Sequence, residues 1–130
     1  MKKFSLALLL SATTMVALAP IVQAHHSVAT FFFQDKTVEV KGEVKEFRLV
    51  NPHMLMKLEV TTPTGEKELW TLTGGVTGDL RAAGWTPEAI KYGDIVTVEG
   101  APARNPDAHG MYVRKLTKAD GTVLQQRIRD

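Results

Sequence analysis

From Val38 onward the chain alternates apolar and polar residues with a period of two, in short runs separated by turn residues. That pattern restricts the fold to twisted sheet with one buried face, because successive strand side chains point to opposite sides. In the first run Val38, Val40, Gly42 and Val44 share one face, and Glu39, Lys41, Glu43 and Lys45 the other. After Lys45 the phase flips, and Phe47 and Leu49 take the apolar positions. A strand that bends or bulges does this, and Gly42 is a place for a close approach or a kink. Asn51-Pro52 ends the run, since proline has no N–H to give to a ladder.

A second strand is expected from His53 to Thr61, with Met54, Met56, Leu58 and Val60 inward and His53, Leu55, Lys57 and Glu59 outward. Thr62-Pro63-Thr64-Gly65 makes a hairpin connection to a third strand, Glu68 to Thr73, which puts Trp70 and Leu72 on one face. Gly74-Gly75 is expected to break the sheet. Val76 to Ala83 then reads as a short helix ended by Gly84, and Thr86-Pro87-Glu88 as a second helix start with Thr86 as the cap. Strands at Ile95 to Gly100 and His109 to Thr117 follow, with a last short strand over Val123 to Ile128 after the Asp120-Gly121 turn. Three strands, a helical insert, then two or three strands is the order of an all-β, five- to six-stranded OB-like Greek-key barrel, with the insert between strands 3 and 4. A β-sandwich is the competing arrangement.

The chain begins with the parts of a secretory leader: Lys2 and Lys3, apolar runs at Leu6 to Leu10 and Met15 to Ala19, and Val22 and Ala24 ahead of a cleavage point. Ser11, Thr13, Thr14 and Pro20 interrupt the run and argue against an uncleaved anchor, which needs roughly 20 apolar residues. Residues 1–24 therefore read as a cleaved signal and 25–130 as one exported, periplasmic domain with no further membrane segment. Without the leader the charge is balanced, at 14 basic against 14 acidic side chains. Nothing in that balance suggests a nucleic-acid footprint, which needs a basic surplus on one face. There is no cysteine, so disulfides and thiolate metal sites are excluded.

A cut after Ala24 exposes His25 and His26 at a free amino terminus. The amine and the imidazole of His25 grip one metal together, His26 or an amide adds a ligand, and another histidine completes a T-shaped histidine brace. Imidazole nitrogens suit copper, which heads the divalent affinity order. His53, on the outward face at the start of its strand, is the expected third partner, and His109, after a proline-containing loop, a fourth. A cut one residue earlier would instead place His26 third, in an amino-terminal Cu(II)/Ni(II) motif built on backbone amides.

Against this stands the plain reading, in which the histidines are polar residues of the leader junction and the loops. Met54 and Met56 fall on the core face and read as packing; Met111 fits either role. One or two of Phe31, Phe32 and Phe33 are expected to pin the amino-terminal segment to the barrel. Trp85 is expected to cap its open end, or else to anchor a ligand. Ser27 lacks a base held in hydrogen-bond geometry, and Gly74-Gly75 lacks the spacing of a phosphate loop. A catalytic role is disfavoured, a copper-dependent oxidative enzyme being its one variant.

H-H-S at the mature start, F-R-L-V-N-P-H at the first strand junction, and L-R-A-A-G-W-T followed by G-D-I-V-T-V-E-G resemble a family of small exported bacterial proteins of unknown function. The resemblance covers nearly all of residues 25–130 and implies a compact β-barrel without naming an activity. It also leads one to expect an acid where this chain has Thr73. Two functions follow: a periplasmic barrel that binds copper through His25, His26, His53 and His109, or a metal-free OB-like module. The second would hold a small ligand, an oligosaccharide, a peptide or an envelope protein in a groove lined by His53, Leu55, Lys57 and Trp85.

Overall fold

The computed structural model describes residues 26–126, with the side chains of His26 and Ser27 left out. The leader assigned to residues 1–24, His25, and the end of the last expected strand lie outside the described residues. Among the described residues no helix is long and apolar enough to cross a membrane.

A short helix α1 (His26–Phe31) leads into strands β1 (Val38–Leu49), β2 (His53–Thr61) and β3 (Lys67–Val76). Helix α2 (Thr77–Ala82) follows, then β4 (Ile95–Pro102), β5 (Gly110–Lys118) and β6 (Val123–Gln125). The strand order is β3-β2-β1-β4-β5-β6, and a β3–β5 pairing closes the first five into a barrel. That closure is parallel, with Thr71 opposite Gly110, Leu72 opposite Met111 and Thr73 opposite Tyr112; the remaining ladders are antiparallel. The OB-like order with its helix between the third and fourth strands is what the sequence pattern predicts, and the sandwich is excluded.

β1 serves two ladders because it is long and bent. Val38 to Glu43 pair with β4, and Gly42 to Leu49 pair with β2. The phase flip after Lys45 is a bulge: the register shifts between Val44 and Glu46, leaving Lys45 as the extra residue. The gap opened beside the bulge is filled by Gly93-Asp94, where the Val44 N–H donates to the Asp94 carbonyl and the Gly93 N–H to the Val44 carbonyl. Gly42 is the close approach, for a Cβ there would strike the Glu59 carbonyl and Leu58 Cγ.

The core is the inward set of all five barrel strands: Val44, Met54, Met56, Leu58, Leu72, Val96, Val98, Met111, Val113 and Leu116, all buried. Met111 thus belongs to packing, as do Met54 and Met56. Leu80 of α2, Trp85 and Ile90 join this core, and Trp85 is fully buried. Its alternative role as an exposed ligand anchor therefore does not hold.

Two local expectations are corrected. Gly74-Gly75 does not break β3, which runs on to Val76. β3 and β5 part beyond Thr73, and the Gln126 side chain fills the opening, its Oε1 accepting the Gly75 N–H at 2.8 Å. A Cβ on Gly74 would sit 3.0 Å from that oxygen, so the glycines make room for the amide. Thr86-Pro87-Glu88 starts a single turn rather than a helix: Thr86 Oγ1 and carbonyl accept from Ala89, the carbonyl accepts from Ile90, and the segment ends at Gly93. Thr73, where the family resemblance suggests an acid, donates its hydroxyl to the Met54 carbonyl at the irregular start of the β2–β3 ladder.

Candidate functional site

The amino-terminal segment is tied to the far end of β4. The Phe33 N–H donates to the Pro102 carbonyl (2.9 Å), Phe32 bridges Ala103, and the Arg104 N–H donates to the Phe31 carbonyl (2.8 Å). Arg104 also donates from Nε to the Ala29 carbonyl of α1 (2.7 Å) and lays its guanidinium over the Phe33 ring. Lys36 covers that ring too, and Arg114 donates to the Gln34 and Lys36 carbonyls and to Thr37 Oγ1. Phe32 packs its ring on Tyr112, while Phe31 is exposed. Two of the three phenylalanines therefore pin the segment, as the sequence suggests, and two arginines complete the attachment.

These contacts fix where α1 joins the barrel. Reading backwards, Phe33, Phe32 and Phe31 meet Pro102, Ala103 and Arg104 in turn, so the segment follows β4 past its end into the β4–β5 loop. His109 closes that loop. Ala103 stands between Phe32 and Gly110, donating its N–H to the Gly110 carbonyl (3.0 Å). Two strand spacings thus separate Phe32 from Gly110, roughly 10 Å.

His53 lies at the other end. It faces Val76 in the β2–β3 register, while the His109 carbonyl accepts the Thr71 N–H (2.8 Å). Thr71 and Val76 are five positions apart on β3, so the two histidines are separated by roughly 17 Å along the strand. The structure therefore does not bring His53 and His109 together, and residues 29–33 are attached at the β4–β5 end, which is the end of His109. Among the described residues no group of three or more His, Cys, Asp or Glu side chains converges on a metal position. His26 enters as the first residue of α1, and His25 lies outside the described residues.

His109 is not alone. Its Nδ1 is 3.3 Å from Glu68 Oε2, and the same oxygen accepts the Trp70 indole N–H at 3.2 Å. The indole and imidazole rings lie 5.7 Å apart at 38°. β3 supplies Glu68 and Trp70 at alternate positions on one face, with Trp70 half-buried against the core. The i, i+2 spacing of Glu68 and Trp70 is visible in the sequence, but their meeting with His109 depends on the parallel β3–β5 closure.

The outer face of β1–β3 carries paired charges: Lys45 with Glu43 and Glu59, Lys67 with Glu59, and Lys57 and Arg48 with Glu46. His53, Leu55 and Lys57 do share the outer side of β2, but Trp85 is in the core, so the groove expected from those four residues does not form.

The sequence matches a family of unknown function (DUF6152) over residues 12–114. None of the curated proteins matches it. Among solved structures the fold is similar to the mitochondrial single-stranded DNA binding protein Rim1 of S. cerevisiae, with a TM-score of 0.50 and 13% identity. The superposition covers 65% of this chain and 93% of that one, and at this identity it speaks for the OB-type fold alone. The chain belongs to the DUF6152 family.

Proposed function

We propose that this member of the DUF6152 family is an exported, periplasmic copper-binding barrel, with a single Cu(II) held between the mature amino terminus and His109. The observation that supports the reading is the attachment of α1 to the β4–β5 loop, at the end of the barrel where His109 sits. His25 supplies the terminal amine and its imidazole, His109 a third nitrogen, and His26 stands beside them as a further donor. His53, the partner expected from strand phase, is released from the set because it is at the opposite end. Nitrogen donors without thiolate or a carboxylate cage favour copper over calcium or magnesium. Binding or carriage, rather than catalysis, is the role.

The likeness to Rim1 raises single-stranded DNA as a competing ligand. A backbone-tracking groove needs unpaired cations and stacked aromatic platforms. Here Lys45, Lys57 and Lys67 already lie on carboxylates, and residues 25–130 are charge-balanced. The copper reading is the stronger of the two.

The test is to compare two preparations of the same barrel. One is exported and processed to begin at His25, and the other carries an added methionine ahead of His25. The first is expected to hold one Cu(II) against a competing chelator and the second to lose it, with identical thermal unfolding in the absence of metal. Equal retention by both, or by neither, contradicts the proposal.

A further inference from the structure

We draw no further inference here: the strongest candidate, the exposed apolar patch of Val50 and Val76 beside His53 where the β1–β2 turn meets α2, carries none, because nothing in the structure shows what covers it.

Discussion

The seam between β3 and β5 offers a direct way to perturb the barrel. The two strands pair for three residues and then separate, and the Gln126 side chain occupies the space between them, 6% exposed. Its Oε1 takes the Gly75 N–H at 2.8 Å, it hydrogen-bonds the Tyr112 hydroxyl, and its own backbone N–H donates to the Arg114 carbonyl. Gln126→Leu keeps the volume but removes the acceptor, stranding the Gly75 N–H and taking a partner from a half-buried tyrosine. A shielded donor left without a partner costs about 1–3 kcal/mol, and the seam is expected to lose about 2 kcal/mol. In a domain of this size that lowers Tm by roughly 8–16 °C. Urea unfolding should show the midpoint falling with an unchanged slope, since the surface exposed on unfolding is the same. Tyr112 gives an independent readout: burial pushes its hydroxyl pKa up and the Gln126 bond pulls it partly back, so the variant should ionise at still higher pH. A Gln126→Leu protein as stable as the parent would show that the amide does not close the seam.

Two other perturbations follow from the same geometry. Gly42→Ala drives a methyl into the Glu59 carbonyl inside the β1–β2 ladder and should cost about 2 kcal/mol, read by chemical denaturation; a neutral result would mean β1 and β2 do not approach as closely as described. Asp94 accepts the Lys91 N–H and faces Lys118 Nζ, and these hold its carboxyl below the ordinary aspartate range. A depressed folded value means that its contribution is present above the unfolded pKa and is lost as pH falls through the folded one. Asp94→Asn should therefore narrow the stability difference between pH 7 and pH 3 in thermal melts, and an unchanged difference would refute the assignment.

Much of this architecture can be read from the chain because each strand states its own inward face. Val44 against Phe47 and Leu49 marks the bulge, and Met54, Met56 and Leu58 mark the core, without knowledge of any neighbour. Gly74-Gly75 misleads because its cause is Gln126, 51 residues away: glycine there is a clearance for another side chain rather than a break. Thr86-Pro87 has the residues of a helix start, but Gly93-Asp94 must return at once to fill the β1 bulge, which leaves room for one turn only. The histidines are the least legible part. Strand phase correctly leaves His53 exposed, but which end of the barrel it shares is fixed by long-range register. The parallel β3–β5 pairing puts His109 beside Glu68 and Trp70, and Arg104 draws α1 to the same end.

Native mass spectrometry of the exported, naturally processed protein after exposure to Cu(II) tests the central claim most directly. The account predicts a mass beginning at His25 with one copper retained, lost in His25→Ala and His109→Ala and kept in His53→Ala. A mature start elsewhere, no retained copper, or a copper that depends on His53 and not on His109 would contradict it.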